Sequence, residues 1–96
     1  MKKQPAVSML ASNRNGTLYI GVTSNLVGRT WQHREHLVDG FSNRNNATRL
    51  AWCEQHESME SAITREKQIK KWNRAWKIRL IEEANPYWND IYEQLA

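Results

Sequence analysis

The chain is short of most of what a secreted or membrane-bound protein relies on. It has one cysteine, Cys53, two prolines, one phenylalanine and four glycines in 96 residues. A single cysteine excludes an internal disulfide and a cysteine-based zinc knuckle, and it fits a reducing compartment. No apolar run approaches the roughly 20 residues a membrane-spanning helix needs. The opening MKKQPAVSMLAS holds too short an apolar stretch for a secretion signal. The expectation is a soluble, cytoplasmic protein. There is no internal repeat, linker or low-complexity run, so residues 1–96 read as one domain with an adequate but not large core.

What the chain does have is positive charge and tryptophan. The net charge is +4, the sequence pI is about 9.5, and there are five tryptophans. That balance favours a polyanionic partner, nucleic acid first, over a merely soluble basic protein. The charge is unevenly placed. Between Arg65 and Arg79 stand seven basic residues against one acid, Glu66, whereas from Glu82 onward there are four acids and no base. A phosphate-binding surface is therefore expected along the middle of that stretch, on Lys67, Lys70, Lys71 and Arg74, and not at the tail.

The most organised stretch is residues 17–33, TLYIGVTSNLVGRTWQH. Leu18, Ile20 and Val22 alternate with Tyr19, Gly21 and Thr23 at the period of a half-buried strand. Thr23, Ser24 and Asn25 offer short polar side chains to the free amides of a helix start. The helix expected over residues 25–37 tolerates Gly28 at a cost of about 1 kcal/mol relative to alanine. It carries Arg29 and His33 on one face, four residues apart. Residues 6–11 predict a strand with Val7 and Met9 on one face and Ser8 and Leu10 on the other. A hairpin loop follows at 12–16. With 12–15 as the free loop residues, Ser8 falls opposite Tyr19.

Residues 39–46 read as a loop anchored only by Phe41. Residues 48–55 read as a third strand, with Leu50 and Trp52 on one face and Ala51 and Cys53 on the other. From Ser58 the run SMES resembles a capping box, with Ser58 as cap and Ser61 in the third position; Glu57 and Glu60 suit the positive end of the helix dipole there. Neither glycine nor proline interrupts until Pro86, so one long helix or two with a bend both fit. Residues 86–96 form a tail whose Tyr87, Trp88, Ile91, Tyr92 and Leu95 can lie against the body.

Within the long helical stretch, Met59, Ala62, Ile63, Ile69, Trp76 and Leu80 form a stripe at 100° per residue, and Glu66 falls near its centre. A carboxylate there costs several kcal/mol unless it is paired, hydrogen-bonded or bound to a metal. The alternative is a surface glutamate bonded to Lys70 at i+4, worth only a few tenths of a kcal/mol. Arg29 suits a phosphate fork and His33 a proton donor or acceptor. An exposed arginine, a structural histidine and an edge tyrosine are the plain alternatives for Arg29, His33 and Tyr19.

Tyr19-Ile20-Gly21, with Arg29 ten residues after the tyrosine, then His33, then Glu66 on a basic helix, resembles the GIY-YIG nuclease superfamily. The resemblance covers about residues 6–84, leaving 85–96 as a tail. It is nearest to the small stand-alone bacterial members, whose REKQIKKW-type run is matched by residues 65–72. It implies an α+β fold with a three-stranded antiparallel sheet flanked by helices, and metal-dependent hydrolysis of a phosphodiester. By position, the resemblance gives Tyr19 the orientation or deprotonation of the attacking water, and Arg29 the scissile phosphate. His33 would assist proton transfer, and Glu66 would be the only protein ligand of one divalent ion, Mg²⁺ or Mn²⁺. One carboxylate suits such an ion, which keeps most of its waters, and argues against a two-metal clamp.

The first family motif ends in a tyrosine that should stand eleven residues before Tyr19, and here that position is Ser8. A serine hydroxyl is shorter by a ring and far less acidic. If the tyrosine is the proton acceptor, its loss costs about 10²- to 10⁴-fold. Three explanations stand open: Tyr19 suffices, the protein mainly binds, or Ser8 is an introduced change. No separate reading module accompanies the domain. Trp31, Trp52, Trp72 and Trp76 beside the basic helix, with Arg34 on the first helix, point to single-stranded or branched DNA; the plain alternative is that most of those tryptophans are core, with Trp76 facing inward on the stripe. The expected function is a metal-dependent DNA endonuclease. A nucleic-acid-binding module that lost turnover is the second reading, and a domain docking an acidic protein is the third.

Overall fold

The computed structural model describes residues 4–14, 16–35 and 47–94. Strand β1, Ala6–Ala11, is buried along its whole length. A strand with small or apolar residues on both faces has to be covered from both sides. It is accordingly the centre of a three-stranded antiparallel sheet, between β2 (Leu18–Thr23) and β3 (Arg49–Gln55). Helix α1 (Leu26–Arg34) follows β2, and α2 (Met59–Lys70) and α3 (Arg74–Ala84) follow β3. A short 3₁₀ turn at Ile91–Gln94 closes the described chain. The expected α+β sheet flanked by helices is what the structure shows.

The register between β1 and β2 differs from the expected one. Ser8 pairs with Gly21, and Tyr19 with Leu10. The Ser12 amide bonds the Thr17 carbonyl at 3.1 Å, so the hairpin closes one residue later than the expected loop. This moves the partner of Ser8 by two residues, an even number, and an even shift keeps every side chain on its face. Ser8 and Tyr19 therefore still share a face, as diagonal neighbours rather than opposite ones.

Strand β3 departs from simple alternation. The β1–β3 register shifts between Met9 and Leu10, with Met9 opposite Trp52 and Leu10 opposite Leu50, so Ala51 bulges out of the ladder. Ala51 and Trp52 consequently both join Val7, Met9, Ala11 and Ile20 in the larger core, under Ala62, Ile69 and Ile81 of the helices. Leu50 lies instead with Leu10 and Cys53 in a second, smaller core. Trp52 thus does not share a face with Leu50, because the extra residue turns the strand between them. The bulged Ala51 carbonyl is satisfied by the buried Asn85, whose Nδ2 donates to it at 2.9 Å.

Two helices, not one, follow β3. Ser58 caps α2 as expected, its Oγ accepting from the Ser61 amide at 3.1 Å. Asn73 starts α3 afresh, its Oδ1 accepting from the Trp76 amide at 2.9 Å. The break resets the helical phase, and only part of the expected stripe is inward. Ala62 and Ile69 are buried and Leu80 partly so, whereas Met59 and Ile63 are each 37% exposed and Trp76 is 52% exposed. Helix α1 ends at Arg34 rather than at 37. The 39–46 loop and Leu95 lie outside the described residues.

The tail is tied to the outer edge of β3. Asp90 accepts from the Leu50 amide at 3.2 Å, and Arg49 donates to the Trp88 carbonyl at 3.1 Å. Trp88 is fully buried at φ 58, and its indole N–H bonds Glu82 at 2.7 Å. A left-handed tryptophan costs about 1–3 kcal/mol, which the burial of so large a ring offsets. Ile91 and Tyr92 pack on the second core, but Tyr87 is 72% exposed and does not. Covering the edge in this way blunts pairing with another strand.

Candidate active site

One pocket, of about 120 Å³, collects side chains from four elements: Ser8 from β1, Tyr19, Gly21 and Thr23 from β2, Arg29 from α1, and Glu66 and Lys70 from α2. Local chemistry sets each in place. Tyr19 and Ser8 reach one face through the even register just described. Arg29 comes one turn into a helix whose start is fixed by side chains. Thr23 Oγ1 accepts from the Asn25 amide at 3.0 Å, and Asn25 Oδ1 accepts from the Gly28 amide at 3.2 Å. A β-carbon on Gly28 would stand 2.6 Å from the Asn25 side-chain Nδ2, so the glycine that weakens the helix interior makes room for its cap.

Gly21 serves the site differently. It sits beneath the Tyr19 ring, and a β-carbon there would stand 3.3 Å from Cε1 and 4.0 Å from the phenol oxygen. Gly21 is also the direct partner of Ser8. The ring of Tyr19 therefore leans along β2 towards the Ser8–Gly21 pair. Ser8 itself is only 8% exposed.

Glu66 follows Ala62 by four residues and precedes Ile69 by three, which turns it towards the sheet between two buried side chains. Its side chain is 14% exposed, against 52% for Lys70, whose ammonium stands 3.5 Å from Glu66 Oε2. The expected i+4 pair exists, but Glu66 is not a surface residue. An ion pair of this length with one exposed partner is a weak competitor for the carboxylate. Arg29, in contrast, is exposed, which leaves its guanidinium at the mouth of the pocket.

The other candidates from the sequence fall elsewhere. Lys67 and Lys71 line a separate groove of about 440 Å³ with Thr64, Gln68 and Trp72. Arg74 donates to the Gly16 carbonyl at 2.6 Å and so ties α3 to the hairpin loop. His33 and Arg34 belong to α1, one turn beyond Arg29, and their side chains lie outside what the structure describes. The sequence reading overlooked Gly21 and Thr23. The signal for Gly21 was present in its place two residues after Tyr19 on a strand, where a glycine next to a large ring marks a close approach.

The largest of these grooves, about 530 Å³, lies away from Tyr19, along α2 beside His56, Ser61 and Arg65. Glu54 accepts from His56 Nε2 at 2.7 Å and from Arg65 at 3.2 Å, and His56 Nδ1 meets Ser61 Oγ at 3.0 Å. This network joins the end of β3 to the capped start of α2, and its acid is already committed to two partners.

Among the described residues no three histidines, cysteines or acids cluster as a metal cage. The smaller pocket offers a single carboxylate beside hydroxyls. That donor set fits one hydrated hard cation, and does not fit zinc or a two-metal clamp.

A family model for the GIY-YIG catalytic domain matches residues 5–79. No curated protein and no solved structure matches the chain.

Proposed function

The chain belongs to the GIY-YIG catalytic domain family, and on that premise we propose that it is a metal-dependent endonuclease that hydrolyses phosphodiester bonds in DNA. The observation that carries this reading is the meeting of Tyr19, Arg29 and Glu66, from three separate elements, around one small pocket. A phosphate at its mouth is held by the Arg29 guanidinium, whose planar fork matches two phosphate oxygens. Lys70 adds a point charge on the same side. Glu66 would hold the divalent ion, which supplies Lewis acidity to the phosphate when bound. Tyr19 is the hydroxyl beside the reacting phosphorus. It orients the attacking water and takes up its proton while handing the phenol proton on to solvent, as the P–O bond to the leaving sugar oxygen breaks. His33 is the group assigned to return a proton to that oxygen.

Ser8 sets the rate in this scheme. A buried serine fills the place of a tyrosine and leaves the proton transfer to Tyr19 alone. Cleavage by this chain is therefore slow. That same observation favours a second reading, a module that binds nucleic acid without cutting it.

The test is cleavage of a labelled DNA oligonucleotide in Mg²⁺, in Mn²⁺ and in chelator. The expected result is slow, chelator-sensitive cutting that Glu66→Ala abolishes while binding stays equal or tightens. Ser8→Tyr is expected to raise the rate by about 10²- to 10⁴-fold, the usual worth of a general base. Binding without cutting in either metal, for the chain and for Ser8→Tyr alike, would leave the second reading in place.

A further inference from the structure

The corner between α2 and α3 holds two tryptophans that the core does not account for. Trp72 is half-buried against the larger core, and the Arg65 guanidinium stands 5.3 Å from its ring centre. Arg65 is itself held by Glu54 at 3.2 Å and by Gln68 at 2.8 Å. Trp72 thus has little freedom. Trp76 meets it edge to face, with ring centres 6.0 Å apart and planes at 78°. The Asn73 cap fixes the turn that carries Trp76. The outcome is a ring 52% exposed to solvent and yet braced on both its backbone and its edge. Large apolar side chains standing out singly are ordinary. A rigid, exposed tryptophan on one groove, next to a second tryptophan that lines both, is a stacking surface.

The charges around it define what can stack there. One groove beside Trp72 carries Lys67 and Lys71; the other, beside Trp76, carries Arg79 together with the acid Glu83, so the net positive side is the Lys67–Lys71 groove. An acidic protein would satisfy these cations but places an aromatic ring on Trp76 only where its sequence happens to hold one, whereas a single strand carries a base at every phosphate. A duplex keeps its bases stacked on one another and unavailable. A strand of unpaired bases satisfies both features at once, with phosphates on the lysines and a base on the indole.

We propose that Trp76, braced by Trp72 and Arg65, is a stacking platform for an unpaired base of single-stranded DNA. The backbone of that strand crosses α2 over Lys67 and Lys71 to the pocket of Glu66. This deepens the nuclease reading and rests on it for the direction of the strand. Trp76 and the Glu66–Lys70 pair line separate pockets with no residue in common, so the platform grips the strand away from the scissile phosphate.

The probe is a fluorescein-labelled oligothymidylate, followed by anisotropy in chelator so that no cleavage intervenes. Trp76→Ala is expected to weaken binding about 5- to 100-fold without changing the salt dependence, and Trp76→Phe to restore most of it. Lys67→Ala is expected to lower the slope of log affinity against log salt by about 0.7, the share of one phosphate on a single strand. Unchanged affinity in Trp76→Ala overturns the platform. So does an equal loss for the annealed duplex, or displacement of the oligonucleotide by polyglutamate as readily as by unlabelled DNA. The two readings separate cleanly. Glu66-dependent cutting with unchanged Trp76→Ala binding leaves the nuclease and removes the platform. Weakened Trp76→Ala binding without any cutting leaves the platform and removes the nuclease.

Discussion

Replacing Gly21 by alanine separates what the strand needs from what the site needs. Nothing in the backbone requires glycine at this position, because Trp88 is the only non-glycine residue at positive φ among those described and Gly21 itself is not left-handed. In a strand, alanine is therefore expected to stabilise the fold slightly, by roughly 0.5–1 kcal/mol, through the lower entropy of its unfolded state. The added β-carbon would stand 3.3 Å from Tyr19 Cε1, closer than ordinary contact, with the ring carbon Cζ at 3.9 Å. The ring has to give by a few tenths of an ångström. A displacement near 1 Å at a reacting group can cost about 10²-fold, so a few tenths is expected to lower single-turnover cleavage by about 3- to 10-fold. The assay pairs that rate, measured at saturating Mn²⁺, with a urea melt of the same variant. Stability held or raised with a lower rate is the expected result. A loss of more than about 1 kcal/mol, or an unchanged rate with Tyr19→Phe inactive, would refute the role given to Gly21.

Asn85→Ala should be among the costly changes away from the site. Its buried side chain donates to the Ala51 and Asn89 carbonyls and accepts from the Asn89 amide, so its loss leaves the bulge carbonyl without a protein partner. Destabilisation of about 2–4 kcal/mol is expected in a urea melt, with the m-value unchanged. Burial pushes the Cys53 thiol above its ordinary value. The neutral thiol is favoured by the fold, so the contribution to stability is full below the unfolded-state value, about 8.5, and is lost as pH rises through the higher folded-state one. Iodoacetamide at pH 8 should therefore alkylate native protein far more slowly than the urea-unfolded chain, and equal rates would contradict the burial.

Much of this was legible in the residues because the relevant physics is local. The alternation of Leu18, Ile20 and Val22 gives a strand whatever lies elsewhere, and Ser58 caps the helix that begins after it through its own Oγ. The even spacing of side chains along a strand put Ser8 and Tyr19 on one face even with the register misjudged, since an error of two residues preserves the face. The Tyr19, Arg29 and Glu66 pattern, together with the basic run that follows it, pointed to the family without any coordinates.

What the tertiary structure alone decided concerns segments distant in the chain. The bulge at Ala51 depends on how β3 fits β1 and on Asn85 supplying a bond from beyond α3. No periodicity within residues 48–55 could show it. Glu66 and Trp76 were assigned to one inward stripe, and only the fold separated them. Asn73 restarts the helix, so one side chain turns to a pocket on β2 and the other to solvent. A sequence specifies the faces of each element, but which face is covered depends on where its neighbours arrive. That is set by the register, the bulge and the tail folded across β3.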